Sequence, residues 1–379
     1  MSISARLTAA TVLGPDGVSS SDIAIADGLI APDADARSVD LSGYMILPAM
    51  VDIHGDGFER HLAPRRGAMK DLGQGLLSAD AELASNGIAT ATLAQFFSWE
   101  GGMRGPIFAQ RFLKAHRDTP LLTDTLVQLR FETHMLEDYL AFEALVAEFA
   151  VPYVVFNDHL PHDALAKGKR PPRLTGQALK GGRSPETHLA LLHSLHDRSG
   201  EVQEHLTALA SRLKTQNIQL GSHDDATAEQ RAAFHAIGAT LSEFPETYEA
   251  ARAAHDTGGH VILGAPNVVR GGSHSGNVAA QDLVAEGLCD ALASDYHYPA
   301  LRQAAFKLFD DNILSLPKAW HLISQGPAEL LGFTDRGTLA PGKRADLIIV
   351  NESTRRIEAT LCAGRITYLA GEAAQRFLA

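Results

Sequence analysis

The stretch Ile46-Leu47-Pro48-Ala49-Met50-Val51-Asp52-Ile53-His54-Gly55-Asp56 decides how this chain is read. Residues 46–53 form an apolar run of strand length. The run stops on a histidine, and a carboxylate follows two residues later. Residues i and i+2 of an extended segment project to the same side, so His54 and Asp56 can grip one ion together. Further apolar runs of strand length lie at 88–95, 126–131, 153–157, 218–221, 239–244, 261–264 and 290–294. Amphipathic stretches at 76–84, 140–149, 202–214 and 280–286 separate several of them. Strands alternating with helices predict a parallel sheet covered by helices. Eight strands between residues 48 and 336 predict an α/β fold, a (β/α)8 barrel of the TIM type, which ordinarily takes about 250 residues.

The two ends of the chain read differently. Residues 6–13 and 22–25 are strand-like, with turn signals at Pro15-Asp16-Gly17 and Asp27-Gly28. Residues 346–350 and 365–369 are strand-like as well. Residues 1–47 and 337–379 are therefore expected to build one small β-rich domain around the barrel at 48–336. Residues 161–185, rich in Lys, Arg, Gly and Pro, read as a long loop.

Composition narrows the partners. Hydrophobic residues make up 45% of the 379 and charged residues 21%, which excludes a disordered or collagen-like chain. The net charge of -12 argues against a nonspecific nucleic-acid binder, which should lean basic. Two distant cysteines, Cys289 and Cys362, cannot make a disulfide framework and point to a reducing compartment. Residues 1–30 carry no basic segment followed by an apolar one, and no uncharged apolar run reaches the ~18 residues of a spanning helix. The expectation is a cytoplasmic protein with no membrane partner, and a homo-oligomer stays open.

In a parallel barrel the carboxyl ends of the strands carry the active site. Here the runs end in His54-Gly55-Asp56, Arg130-Phe131-Glu132, Asn157-Asp158-His159, Ser222-His223-Asp224-Asp225 and Ser294-Asp295-Tyr296. A lone histidine at a strand end is ordinarily a hydrogen-bonded structural residue. Five strand ends that each bear a histidine or a carboxylate form a pattern. His54, Asp56, Glu132, His159, His223 and Asp295 supply three imidazoles and three carboxylates. That is enough for two divalent cations, with Glu132 able to bridge them. Mixed nitrogen and oxygen donors suit zinc and are compatible with manganese or iron. Paired ions about 3.5–4 Å apart can hold a hydroxide and clamp a phosphoryl or carbonyl oxygen. Asp295, at the last strand end, is placed to be both a ligand and the catalytic base. Asp224 and Asp225 have another use as caps of a helix beginning near Ala228. Asp158 has another use as a partner that orients a ligand imidazole.

Cations gather after the strand ends. Arg60, His61, Arg65 and Arg66 follow the first pair, and Arg270, His274 and Asn277 lie in a segment that contains Gly271-Gly272. Phosphate oxygens are matched by bidentate arginine and by close backbone approach at glycine. Arg60, His61, Arg65, Arg270, His274 and Asn277 are therefore the expected contacts of a small anionic, phosphorylated substrate.

These residues resemble a known family. The strand at 46–53, the H-x-D at 54–56, Asp295 and the tail Gly337-Thr-Leu-Ala-Pro-Gly-Lys-Arg-Ala-Asp-Leu-Ile-Ile-Val350 resemble the amidohydrolase superfamily. Members commonly carry H-x-H at the first strand and a carboxylated lysine where Glu132 stands. Those two departures, with the segments 54–65, 222–227, 264–277 and 292–296, are similar to the phosphonate-metabolism branch. The stretches at 95–104 and 130–137 look more like a paralogous line of that branch. The resemblance implies cleavage of α-D-ribose 1-methylphosphonate 5-triphosphate with release of diphosphate. The competing expectation keeps the metals and changes the bond, to a C–N bond in a cyclic amide or a ring deamination. A neutral cyclic amide would not require the cations near 60–66 and 270–277. A non-catalytic, metal-stabilised scaffold is disfavoured, because structural metal sites are closed by four ligands and this donor set is larger.

Overall fold

The apolar run at 46–53 is two strands rather than the one expected. Tyr44–Pro48 belongs to a sheet at the chain ends, and Met50–Gly55 opens the barrel. Pro48 lacks an N–H and ends its strand, where its carbonyl accepts from Trp320 Nε1 at 2.9 Å. Ala49 N–H donates to the Asp346 carbonyl at 3.0 Å, which pins the crossover between the sheets. Both strands are almost wholly buried, so the sequence reads as one unbroken apolar run.

The computed structural model describes residues 2–33, 36–63, 71–272 and 278–379. Eight strands form one parallel sheet in sequence order. They are β1 (Met50–Gly55), β2 (Ile88–Phe97), β3 (Asp124–Glu132), β4 (Tyr153–Asn157), β5 (Gln219–His223), β6 (Leu241–Glu243), β7 (His260–Gly264) and β8 (Ala291–Ala293). An isolated parallel bridge between Gly55 and Asp295 joins the first strand to the last, so the sheet is a nearly closed (β/α)8 barrel. Every residue of β2 is buried, as a strand covered on both faces requires.

Two further sheets come from the chain ends. One has four strands, all from residues before the barrel. The other has six, three from each side of the barrel. In it Tyr44–Pro48 pairs antiparallel with Leu347–Asn351, Ile46 opposite Ile349. Leu7, Ile25, Ile46, Leu347 and Leu361 pack into their common core. The strand expected at 6–13 breaks at Ala9, whose φ of 58° is left-handed, and its halves Ala5–Thr8 and Thr11–Gly14 join different sheets. The loop expected at 161–185 contains two short helices, His162–Ala166 and Leu174–Lys180. Buried Leu165, Leu174 and Ala178 anchor them, an apolar signal diluted by the surrounding Lys, Arg, Gly and Pro.

Contacts divide the chain into two compact units. The first is residues 1–93, 119–126 and 262–379; the second is 94–118 and 127–261. Within the first, Asp124 at the start of β3 accepts from Arg336 and Arg344, each at 2.6 Å. Within the second, β4 and β5 pair in register, Val155 opposite Gly221. Cys289 and Cys362 are both free thiols. Among the described residues no helix is long and apolar enough to cross a membrane.

Candidate metal centre

In the second unit four strands end on chemistry. Glu132 closes β3, His159 follows β4, His223 closes β5 and Glu243 closes β6. Glu132 is fully buried, and its carboxylate takes three donors. His159 Nδ1 lies 2.5 Å from Oε1, and the His159 N–H and Trp99 Nε1 reach Oε2 at 3.1 and 3.2 Å. His159 thereby turns Nε2 toward Asp224, 3.6 Å from Oδ2. His223 is ordered from both sides. Its Nδ1 is 3.1 Å from Glu243 Oε2, and its Nε2 is 2.7 Å from an Arg130 nitrogen. A carboxylate only accepts and a guanidinium only donates, so Nδ1 carries the proton and Nε2 the lone pair. That tautomer makes Nε2 the ligating atom once the Arg130 N–H it accepts gives way, with its other nitrogen donating to a carboxylate.

Electrostatics follow from these contacts. Burial alone would push the His159 imidazole down, but Glu132 and Asp224 outweigh it and raise it to about 10. Burial would raise the Asp224 carboxyl; His223, His159 and Arg130 instead hold it down at about 2. Burial, then the Arg130 charge, lowers His223. One donor atom from each of His159, His223 and Asp224 lies within 4.8 Å of the others, so the set fits a divalent ion. Asp224 reaches this place through a left-handed backbone, φ 58°. It does not cap the following helix; Thr227 does, accepting from the Gln230 N–H. Asp225 is buried on Ser222, Ser242 and Arg231.

In the first unit, His54 is buried near the end of β1 and Asp56 is half-buried just beyond it. Asp295 sits against both at the backbone. Its N–H donates to the His54 carbonyl at 3.0 Å, and its carbonyl accepts from the Asp56 N–H at 2.9 Å. A Cβ on Gly55 would lie 2.6 Å from Asp52 Oδ2 and 2.9 Å from Ser294 Oγ, so only glycine fits between the two candidate ligands. Asp52 itself is fully buried. Burial raises its carboxyl, and it accepts from the Ser294 N–H and hydroxyl at 2.9 and 2.5 Å.

The expected substrate contacts fare unevenly. Arg60 and His61 both pair with the Glu82 carboxylate, and Arg60 also donates to the Tyr296 carbonyl at 3.0 Å. Arg270 is exposed at the end of the helix Ala265–Arg270 and donates to the Tyr296 hydroxyl at 2.9 Å. Arg65, His274 and Asn277 lie outside the described residues.

Comparison with known proteins then settles the kinship. A family model described as the amidohydrolase family matches residues 192–372. An α-D-ribose 1-methylphosphonate 5-triphosphate diphosphatase of Escherichia coli (strain K12) is 32% identical over 361 residues, 90% of this chain and 93% of that protein. The chain belongs to the amidohydrolase family. Its fold is shared with a Xaa-Pro dipeptidase (TM-score 0.65, 14% identity, 97% of this chain and 100% of that one). It is shared too with an L-hydantoinase from Arthrobacter aurescens (TM-score 0.54, 15% identity, 98% and 97%).

The sequence reading of this amidohydrolase passed over Glu243, Arg130 and Trp99. Glu243 had a usable signal, because the apolar run at 239–244 contains a strand-end carboxylate like the others. Arg130 and Trp99 had none. One reads as an ordinary cation inside a strand, and the other reaches Glu132 from a different segment of the chain.

Proposed function

We propose that this amidohydrolase is a metal-dependent diphosphatase that cleaves the triphosphate of α-D-ribose 1-methylphosphonate 5-triphosphate. The observation that carries the reading is the relative of that activity, alike over 90% of the chain, together with strand ends that bear the donors metal-assisted hydrolysis needs. We assign His54, Asp56, Glu132, His159, His223 and Asp295 to two divalent ions, with zinc suited to the donor types. When bound, such ions lower the pKa of a water toward ~7 and polarise phosphoryl oxygens.

The chain's own residues have separable tasks in this scheme. Glu243 fixes the His223 tautomer, and Glu132 orients His159 through Nδ1. Asp295 accepts the proton of the attacking water at its carboxylate. Arg130, held over the Phe96 ring at 3.9 Å, supplies a fixed positive charge beside His223 for developing phosphoryl charge. Arg270 binds phosphate oxygens.

One observation favours the C–N reading. Glu82 already engages Arg60 and His61, which removes two of the cations expected to meet a triphosphate. Metal analysis of the purified protein, followed by a product screen, separates the readings. Diphosphate release from the phosphonoribose triphosphate, above that from nucleoside triphosphates, supports the proposal. Ring opening or ammonia release from cyclic amides, without diphosphate release, overturns it.

A further inference from the structure

Beyond the strand-end set, the second unit holds a separate group of imidazoles around one carboxylate. Asp158 lies between His162 and His134. Its Oδ2 is 3.0 Å from His162 Nε2, and its Oδ1 is 3.4 Å from His134 Nδ1. One donor atom from each of the three residues lies within 4.8 Å of the others. None of the three belongs to the strand-end set: the neighbouring Glu132 and His159 are turned to each other, while Asp158 is turned to His134 and His162.

Proton bookkeeping around His134 is the telling feature. Ser199 Oγ donates its single proton to the His196 carbonyl at 2.6 Å. The same oxygen lies 3.1 Å from His134 Nε2, so it must accept there, and Nε2 carries the imidazole proton. In the neutral ring Nδ1 is then a lone pair. It faces Asp158 Oδ1, an acceptor, at 3.4 Å. It also faces Thr133 Oγ1 at 3.4 Å, whose own proton goes to the Asn157 carbonyl at 3.2 Å. Asp158 Oδ1 also takes the Leu160 N–H at 3.2 Å, but neither His134 nor Thr133 places a proton toward it, so their lone pairs face the carboxylate repulsively. A cation placed among them reverses the sign of every one of those interactions.

His162 is prepared in the same sense. Its Nδ1 lies 2.7 Å from His196 Nδ1, so one of the two nitrogens donates to the other. When His162 donates, its Nε2 presents a lone pair toward the Asp158 carboxylate; when it accepts, Nε2–H donates to both carboxylate oxygens, at 3.1 and 3.0 Å, and an ion would take the place of that proton. Each candidate ligand ring thus has its far nitrogen held by a partner, Ser199 for His134 and His196 for His162, as ligating histidines ordinarily do. The spacing suits the ion too. Donors about 2.0–2.1 Å from a tetrahedral zinc stand roughly 3.3 Å apart, close to the 3.0 and 3.4 Å observed.

We propose that His134 Nδ1, Asp158 and His162 Nε2 form a further divalent-cation site, selective for zinc-class ions and separate from the strand-end centre. Three protein ligands leave a fourth position. The group lines a cavity of about 390 Å³ that is also lined by Val202, Gln203, Leu206, Gln230 and Phe234. The fourth ligand is therefore a water or a small exogenous donor.

The test is zinc stoichiometry of the full chain. Metal-free protein is dialysed to equilibrium against zinc chloride, and bound zinc is counted per folded chain. The wild type should bind one equivalent more than His134→Ala/His162→Ala and one more than Asp158→Asn. Ser199→Ala, which frees the His134 tautomer without touching a ligand, should weaken that equivalent by about 10–100-fold. Glu132→Ala should keep it, which separates this site from the strand-end centre. If the double variant does not fold, Asp158→Asn and Ser199→Ala carry the test, because both nearly preserve shape. Unchanged zinc stoichiometry and affinity in Asp158→Asn and Ser199→Ala would overturn the site and leave a proton on His134 Nδ1 as the cation between the acceptors.

Discussion

The backbone of Asp295 is hydrogen-bonded on one side to His54 and on the other to Asp56, at 3.0 and 2.9 Å. The last barrel strand is thus stitched to the first at the residues proposed as ligands and base. Asp295 holds a left-handed φ of 55° in doing so, a conformation that costs energy at a residue other than glycine. Strain of this kind persists where surrounding hydrogen bonds over-determine the backbone, and both bonds are present here.

Asp295→Asn tests the base. Asparagine tolerates the left-handed conformation, so the fold should survive. Diphosphate release should fall by about 10²–10⁴-fold, the usual cost of losing a general base. Circular dichroism and turnover on one preparation check it; a near-normal kcat would remove Asp295 from the mechanism.

Glu132→Ala should lower bound metal at the strand-end centre by one ion per chain. Trp99 is a built-in reporter, because its Nε1 donates to Glu132 Oε2. The only other tryptophan is Trp320, so Trp320→Phe isolates the signal. Zinc added to metal-free Trp320→Phe should change Trp99 emission in a saturable way. No such change should follow once Glu132 is also removed.

Glu243→Gln replaces an all-acceptor group that takes Gln128 and Tyr153 on Oε1 and His223 on Oε2. The new amide hydrogens face donors, which should destabilise the fold by roughly 1–3 kcal/mol. With the His223 tautomer released, metal affinity should drop about 10–100-fold. A melting curve and a zinc titration measure the two effects separately, and unchanged affinity would deny Glu243 the orienting role.

Arg270→Ala should raise KM for a triphosphate substrate and leave kcat nearly unchanged, since a contact made equally in ground and transition states acts on KM. One charge-assisted bond is worth ~1.5–3 kcal/mol, or roughly 10–150-fold in kcat/KM. If Arg270 serves only to hold Tyr296, KM stays constant and the melting temperature falls.

Asp124→Asn tests the clamp between β3 and the C-terminal segment. Burial would raise the Asp124 carboxyl, but Arg336 and Arg344 hold it below its ordinary value. A depressed folded-state pKa contributes stability above the unfolded value near ~3.9, and that contribution is lost as pH falls through the folded value. Asp124 is partly exposed, so the pair should be worth about 1–3 kcal/mol at pH 7, between the values for open and enclosed pairs. Melting temperatures of wild type and variant should differ at pH 7, begin to approach each other only below pH ~4, and meet once the pH is below the depressed folded value. A difference that persists undiminished at low pH would mean that packing, not charge, holds this corner.

By itself the sequence determined the class of this protein. Apolar runs alternating with amphipathic stretches specify a parallel barrel, because backbone hydrogen bonding and burial allow few other arrangements of that pattern. The H-x-D after residue 53 and the carboxylates and histidines at later strand ends were legible for the same reason. A strand's direction and its end are local properties. Tertiary structure alone decided which donors meet. It divided residues 46–53 between two sheets, because a run buried on both faces looks the same whichever sheet receives it. It gave Arg60 and His61 to Glu82, a carboxylate about twenty positions on that local spacing does not single out. It also aimed His134 at Asp158, through a serine whose single proton was already committed elsewhere. A hydrogen bond is directional, and its direction depends on where every neighbouring proton goes, which a linear string of residues does not encode.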